Sequence, residues 1–156
     1  MPVARDASDQ KLLEIVERHG WHVTLVEDDG RSPGFAYSTG IYARTRHPEV
    51  IVIGLPSDLG HFLVNEYGSA CLRGTPPALW IPHEDYLEGN AVVFIEVTAP
   101  IGDKYATWTR WFYDGDDVPY VQLVFPDSET GAFPWEPGYR EGMRHEQPML
   151  GDMPSG

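Results

Sequence analysis

One short loop holds side chains that could transfer protons and bind an anion. Residues 44–49 read Arg-Thr-Arg-His-Pro-Glu. Imidazole exchanges protons near neutral pH, and the fork of a guanidinium matches a carboxylate or a phosphate. The residue types and their spacing predict His47 and Glu49 as catalytic acid–base residues at the edge of a pocket, with Arg46 or Arg110 holding an anionic group. The alternative is a turn fixed by Pro48, which assigns these residues no chemistry.

The third catalytic candidate is Asp127, which follows Pro126 at the predicted end of a strand. Functional side chains often stand where a strand runs into a loop. The same carboxylate could instead accept hydrogen bonds in an Asx turn toward residues 128–131. Both interpretations stay open at the level of sequence.

A run of aromatic side chains marks a candidate binding surface. Residues 105–113 read Tyr-Ala-Thr-Trp-Thr-Arg-Trp-Phe-Tyr. As a strand, this run would place alternate residues on opposite faces, so that one face meets the core and the other exposes aromatic rings. A ligand, a partner chain or the C-terminal tail would then have to cover those rings. The predicted ligand-binding residues around this surface are Tyr37, Thr39, Arg46, Arg110, Trp111, Tyr113, Gln122 and Trp135.

Gln122 stands out as a polar residue between apolar neighbours in a predicted strand. Burying its amide without hydrogen-bond partners would cost about 1–3 kcal/mol. A ligand could supply those partners, and backbone groups or Arg110 could do so equally well.

Sequence signatures of several other site types are absent. The chain has no His-x-x-x-His and only one cysteine, and His19 and His22 straddle a predicted change from helix to strand, so no metal site is predicted. Asp114, Asp116 and Asp117 are interpreted as part of a hairpin turn, because the run lacks the closing glutamate of a calcium loop. No nucleophile elbow, phosphate loop or dinucleotide fingerprint occurs, which argues against esterases, NTPases and Rossmann enzymes.

Two helices and six strands are predicted to position these residues. Apolar residues recur at helical spacing in two stretches, and they alternate or run continuously in the others. The predicted helices cover residues 9–19 and from 57 to near 74, and the predicted strands cover residues 21–26, 34–39, 50–55, 91–97, 105–113 and 120–125. The last two strands are expected to form a hairpin.

The chain is expected to form a single α+β domain over residues 1–156. Its strands would build a curved, mostly antiparallel sheet or small barrel of about six strands, with the two helices on one side. After Phe125 the periodicity stops, so residues 126–156 are predicted as an extended, nonregular C-terminal tail packed on the sheet. Phe133 and Trp135 are expected to anchor that tail over the aromatic strand.

Composition narrows the partners and the location. The formal net charge is −13, and such a field repels nucleic-acid backbones and anionic lipid surfaces. No stretch is apolar over the length of a membrane span, and the N-terminus lacks the apolar core of a signal peptide. The single cysteine cannot form an internal disulfide, so we expect a cytoplasmic protein that binds neither nucleic acid nor membrane.

Six short motifs occur in an order that resembles one known family. They are His19-Gly20-Trp21, Phe35-Ala36-Tyr37-Ser38-Thr39-Gly40, His47-Pro48-Glu49, Gly54-Leu55-Pro56, Gln122-Leu123-Val124-Phe125-Pro126-Asp127 and Phe133-Pro134-Trp135. Over roughly residues 10–150 the chain resembles the bacterial family called domain of unknown function 4262. It departs mildly from the usual pattern at Ser38, where threonine is common, and at Phe125, where tryptophan is common. The resemblance implies a family and no particular activity.

A fainter likeness is to the flavin-reductase type of split barrel. Residues 35–40 and 50–55 are similar to its strand rich in threonine and glycine and its apolar strand, with a loop between them. This resemblance implies FMN as a possible cofactor.

Two classes of function follow. The first is a small-molecule-binding protein, either a simple binder or an enzyme for a flavin or aromatic ligand, with a pocket bounded by residues 42–49, the aromatic strand and the tail. The second is a noncatalytic interaction, accessory or immunity-type protein whose acidic surface meets a basic partner. A homodimer fits either class, because a twofold mate often covers exposed aromatic strands.

Overall fold

The computed structural model describes residues 2–152. Its strands are β1 His22–Val26, β2 Phe35–Thr39, β3 Glu49–Ile53, β4 His83–Leu87, β5 Asn90–Val97 and β6 Tyr120–Val124. They form one sheet in the spatial order β1-β2-β3-β6-β5-β4. Four neighbouring pairs are antiparallel, and the central pair of β3 and β6 is parallel. The expected α+β class with a mostly antiparallel sheet is confirmed.

The sheet is open, with β1 and β4 as its two edges. A barrel would require the first and last strands to pair with each other. Here β1 pairs only with β2, and β4 pairs only with β5. The expected small barrel is therefore wrong.

Within residues 2–152, six helices accompany the sheet, where two were predicted. They are α1 Ala7–His19, α2 Ile41–Thr45, α3 Ser57–Leu72, α4 Ala99–Tyr105, α5 Thr107–Phe112 and α6 Glu141–Glu146. α1 and α3 are the two expected from the sequence. The other four have seven residues or fewer, which is too short for a repeating apolar pattern to reveal a helix.

Local interactions explain where α1 begins and ends. The Asp6 carboxylate accepts a hydrogen bond of 2.9 Å from the backbone N–H of Asp9, which satisfies a free donor of the first turn. After the helix, Gly20 adopts a φ of 100°, a conformation that favours glycine. The chain can therefore turn sharply from α1 into β1.

Different elements cover the two faces of the sheet. On one face, Leu63 and Tyr67 of α3 join a buried cluster with Val52 of β3. On the other face, Ile51 of β3 belongs to a second cluster that includes Ala106, between α4 and α5. Burial on both faces explains why β3 reads as a continuous apolar run in the sequence.

The predicted strand over residues 105–113 is wrong, because this segment forms the end of α4 and all of α5. Thr109 and Phe112 are buried, and a spacing of three suits a helix. The segment resembles a strand in sequence because it is rich in aromatic and β-branched residues, which are typical of strands. The expected hairpin turn is wrong as well: Asp114 and Gly115 adopt φ values of 55° and 77° and end α5.

The sheet has six strands, as many as were predicted, but one of the six is a different segment. β4 takes the place of the wrongly predicted aromatic strand. Only Tyr86 is buried along β4, so this edge strand lacks the alternation of apolar and polar residues that reveals strands in a sequence.

Beyond β6 the chain lies across the sheet, with α6 as a short helical turn near its end. Phe133 is buried and stacks on Trp135 with ring centroids 5.2 Å apart. Both rings pack against Val93 of β5 and Val124 of β6. The aromatic residues of the tail therefore cover β5 and β6, and the cover expected over residues 105–113 is wrong.

Candidate functional site

A groove of 940 Å³ lies where α2 meets the end of α5 and the loop that follows it. Aromatic rings, carboxylates and one guanidinium make up most of its lining, and Pro2 and Val3 complete its border. The side chains that give the groove its character are Tyr42, Arg46, Trp111, Phe112, Tyr113, Asp114, Asp116 and Asp117. Residues 42–46 and the aromatic segment thus meet at this groove, whereas residues 126–152 of the tail do not line it.

Unusual backbone conformations at both ends place α2 beside the groove. Gly40 has a φ of 113°, and a Cβ there would lie 2.9 Å from the carbonyl oxygen of Gly20, so glycine is required. Arg46 ends the helix with a φ of 68°. Its guanidinium lies 5.7 Å from the centre of the Tyr42 ring, within the range of a cation–π interaction.

A buried carboxylate fixes the walls of the groove. Glu49 is fully buried, and its carboxylate accepts hydrogen bonds of 3.0–3.1 Å from the successive backbone N–H groups of residues 40–42. The Ser38 hydroxyl donates at 2.7 Å, and the Tyr113 hydroxyl donates from the end of α5. One side chain therefore ties α2 to the aromatic wall.

The hydrogen-bond directions describe Glu49 as an ionised carboxylate. The Ser38 oxygen accepts from the N–H of Val50 and the Tyr113 oxygen accepts from the N–H of Ala43, both at 3.0 Å, so both hydroxyl protons are directed to Glu49. All five of its neighbours are thus donors. A proton on the carboxyl group would have to displace one of these donated hydrogen bonds.

Burial and hydrogen bonding act on the acidity of Glu49 in opposite directions. Burial is the larger effect and raises the pKa of its carboxyl group above the usual value, because the charged form loses its hydration, while the donors around it oppose part of this rise. No lysine or arginine of residues 2–152 forms an ion pair with it. Burial and the adjacent carboxylate also raise the pKa of the Tyr113 hydroxyl, which therefore remains a donor at neutral pH.

The structure separates the three predicted catalytic residues. Glu49 does not line the groove, because its side chain has no exposed surface, and it contacts the lining residues Tyr113 and Tyr42 at the hydroxyl of the first and the backbone N–H of the second. His47 is half-buried between α2 and β3, its backbone N–H donates to the Thr45 hydroxyl at 3.1 Å, and it does not line the groove. Asp127 lies after β6, outside the groove.

Asp127 is fully buried, and its side chain stabilises the start of the tail. Its carboxylate accepts hydrogen bonds from the Arg140 guanidinium at 2.8 Å and from the N–H groups of Arg140 and Glu129 at 3.1 and 2.9 Å. The guanidinium holds the pKa of this carboxyl well below its usual range. The Asx turn that the sequence left as an alternative is present, and an ion pair reinforces it.

Two predicted ligand-binding residues of β2 are buried under α5. The Tyr37 hydroxyl accepts a hydrogen bond of 3.2 Å from the N–H of Trp108. The Thr39 hydroxyl lies 2.9 Å from that of Thr109. Both side chains dock α5 on the sheet, and neither reaches the groove.

The hydrogen bonds of Gln122 show how the amide is satisfied in the sheet. Its Nε2 donates to the carbonyl of Pro148 at 2.9 Å, and its Oε1 accepts from the N–H of Leu150 at 2.9 Å. Backbone groups of the tail are thus its partners, which was one of the alternatives left open by the sequence.

The remaining predicted ligand-binding residues divide between the groove and other surfaces. Trp111 lines the groove, and the Arg5 guanidinium lies 4.8 Å from the centre of its ring. Arg46 and Tyr113 line it as well. Arg110 is exposed outside the groove, and Trp135 belongs to the tail on the sheet.

Several groove residues were not among the sequence candidates. Tyr42 and Phe112 sit beside predicted residues, and their aromatic character was the available signal. Asp114, Asp116 and Asp117 were assigned to a hairpin turn. Because α5 is a helix that ends at this point, the three carboxylates border the groove instead.

Three further findings on residues 2–152 concern metal ligands, membrane spans and the single thiol. No three His, Cys, Asp or Glu side chains in this range converge as metal ligands. None of its helices has the length and apolar character needed to cross a bilayer. Burial raises the pKa of the Cys71 thiol to about 11, which leaves little reactive thiolate near neutral pH.

Comparison with known proteins identifies a family. The family described as Domain of unknown function (DUF4262) matches residues 15–140. No curated protein and no solved structure matches the chain.

Proposed function

The chain belongs to the DUF4262 family, and because that description names no activity, we propose a function from the groove itself: the protein binds a small molecule that carries an aromatic ring and a positive charge. The observation that carries the proposal is the pairing of aromatic walls with three carboxylates against one guanidinium in a groove of 940 Å³. Aromatic faces attract both planar rings and cations.

The aromatic walls are held in place without a ligand. The Tyr113 hydroxyl is fixed by Glu49 and by the N–H of Ala43. The Tyr42 ring meets the Tyr113 ring edge to face, with centroids 6.0 Å apart and planes at 77°. Binding to walls that are already ordered costs little conformational entropy.

The charge around the groove favours a cation over a phosphate. Asp114, Asp116 and Asp117 are exposed at its border, and Arg46 is the one guanidinium among the described residues that line it. The phosphate of FMN would meet three carboxylates for a single cation. The residues present therefore do not fit FMN, and the net charge of −13 would also attract a cationic ligand from a distance.

The lining favours binding over nucleophilic catalysis. Within residues 2–152, the groove has no serine, cysteine or histidine in its lining. An acid–base role for Glu49 would have to pass through the Tyr113 hydroxyl, which is already engaged on both sides.

Calorimetric titration with two matched probes tests the proposal. Tryptamine is an aromatic cation, and indole-3-acetate is an aromatic anion of similar size. We expect tryptamine to bind and indole-3-acetate to bind about tenfold more weakly or not at all, because nearby carboxylates repel it. Trp111→Ala should weaken tryptamine binding by about tenfold, the loss of roughly one aromatic contact.

Charge variants distinguish the effect of the carboxylates at the groove on ligand binding from the effect of the net negative charge of the protein. Asp116→Asn with Asp117→Asn should weaken tryptamine binding, whereas Asp85→Asn, on the exposed edge strand β4, should leave it unchanged. Equal binding of both indoles, or tighter binding of FMN than of tryptamine, would refute the proposed ligand class. Absence of binding by every probe would leave the interaction-protein hypothesis as the better one.

A further inference from the structure

A second pocket, of 600 Å³, shares no lining residue with the groove. It lies between the end of α1, strand β1 and one face of α3. Its lining holds three histidines, His19, His22 and His61, together with Asn65 and Ser69. Half of the six histidines of the chain therefore meet in one place.

The walls of this pocket are well defined. His61, Asn65 and Ser69 are spaced by four residues, so they form one line along α3. The Trp21 ring lies against this helix so closely that a Cβ on Gly68 would stand 2.6 Å from it. The indole is thus a flat, fixed apolar wall beside a polar row.

Hydrogen bonds orient the polar row. The Trp21 Nε1–H donates to Asn65 Oδ1 at 2.9 Å, which assigns the carbonyl oxygen of that amide. Asn65 Nδ2 therefore faces the other way, 3.4 Å from His61 Nδ1. On β1, His22 Nδ1 lies 3.3 Å from the Thr24 hydroxyl, which leaves Nε2 of that ring for other contacts.

The lining of this pocket lacks the acidic character of the protein as a whole. No aspartate or glutamate of the described residues lines it, although the chain has 24 of them. Lys11 on α1 and His61 on α3 are close enough to lower the pKa of His22, after the larger effect of burial. His19 and His61 are exposed, so both imidazoles can reach a ligand that enters the pocket from water.

The geometry points to a binding site for a small organic anion: a carboxylate on an apolar body, held by the imidazoles and the Asn65 amide, with the body against Trp21. A protonated imidazole and a side-chain amide both donate to a carboxylate. Ile15 and Val23 extend the apolar wall. This site is independent of the ligand proposed for the groove.

Titration with benzoate, followed by NMR, tests this inference on the full chain. We expect saturable shifts of the Trp21 indole N–H and of the ring protons of the three pocket histidines at pH 6. Binding should weaken by about tenfold at pH 8, because imidazole as a class loses its charge between about pH 5 and pH 8, and the loss corresponds to about one hydrogen bond to a charged group. Benzyl alcohol, which has the same ring and no charge, should shift these signals only weakly.

Asn65→Asp is the decisive variant. An aspartate can still accept the hydrogen bond from Trp21, so the wall is kept while a negative charge enters the pocket. Benzoate binding should then fall by about tenfold or more, and the weak benzyl alcohol shifts should remain. His145→Ala, on exposed α6, is the control and should bind benzoate like the parent protein.

Three results would overturn the inference. They are the absence of saturable shifts at pH 6, equal binding of benzyl alcohol and benzoate, and unchanged benzoate binding by the Asn65→Asp protein. If that variant proves poorly folded by thermal melting, His19→Ala with His61→Ala provides the same test, because both side chains are exposed.

Discussion

The most informative single residue is Glu49. The sequence placed it next to His47 and suggested acid–base chemistry, whereas the structure shows a carboxylate surrounded by five hydrogen-bond donors. Three of those donors are backbone groups at the start of α2. The charge of Glu49 therefore organises the backbone that carries the groove.

Replacing Glu49 with glutamine tests this structural role. The amide NH₂ of Gln would point at donors, so at least one of them would lose its acceptor. We expect Glu49→Gln to lower the free energy of unfolding by about 1–3 kcal/mol, the cost of an unsatisfied buried polar group. Urea denaturation measures this difference, and Glu96→Gln, an exposed position in β5, serves as the control. An unchanged midpoint for Glu49→Gln would show that the donors find other partners.

At the scale of elements, the ion pair between Asp127 and Arg140 holds the tail against the end of β6. The guanidinium forms hydrogen bonds to both carboxylate oxygens, at 2.8 Å to each. Glu129 adds an exposed contact to the same guanidinium at 3.1 Å. Asp9 forms a similar pair with Arg5 at the start of α1.

These pairs predict a loss of stability in acid. Arg140 and Arg5 lower the pKa values of Asp127 and Asp9 in the folded state. Their contribution is therefore complete above the unfolded-state pKa of about 3.9 and disappears as the pH falls through that value toward the lower folded-state pKa. Asp127→Asn should be less stable than the parent protein at pH 7, and the gap should narrow below about pH 4.

Urea midpoints measured from pH 7 to pH 3 decide this prediction. Asp85→Asn removes one carboxylate from the exposed edge of the sheet and should follow the parent protein at every pH. A gap for Asp127→Asn that stays constant down to pH 3 would mean that the ion pair does not account for the acid sensitivity.

Elements with a long apolar pattern could be predicted from the sequence, and short ones could not. α1, α3 and the central strands have the helical spacing or the apolar runs that their burial requires. The strand prediction for residues 105–113 was wrong because the apolar residues of this segment fit both the alternation of a strand and the spacing of three of a helix. Packing against β2 and β3 selects the helix. Two of the predicted ligand-binding residues in this segment, Trp111 and Tyr113, still line the groove, because their aromatic character does not depend on the type of secondary structure, and Arg46 lines it from the end of α2.

At the scale of the whole molecule, the tail completes the sheet. The Gln122 amide, in the middle of β6, has its partners at Pro148 and Leu150, more than twenty residues further along the chain. Gln147 forms hydrogen bonds of 3.0 Å to both the N–H and the carbonyl of Phe125. These long-range pairings could not be inferred from a segment without periodicity.

A chain that ends at Thr130 should consequently be much less stable than the full chain. It loses the buried Phe133, the Arg140 partner of Asp127 and both partners of Gln122. Calorimetric melting should show a strongly lowered transition or none. Phe133→Ala in the full chain should cost about 3–5 kcal/mol by the loss of a buried aromatic ring. If the shortened chain melts like the full one, the tail is not part of the core.

The parallel pairing of β3 with β6 divides the assembly of the chain into two halves. β1, β2 and β3 are neighbours in sequence and in space, and so are β4, β5 and β6. The ladder that joins the halves starts with Glu49 opposite Tyr120, a closure over a long loop that is entropically costly and slow. The exposed stretch from Leu72 to Pro76 links them. A chain opened in that stretch would keep both three-stranded halves intact, and the central seam of the sheet would become an interface between two polypeptides.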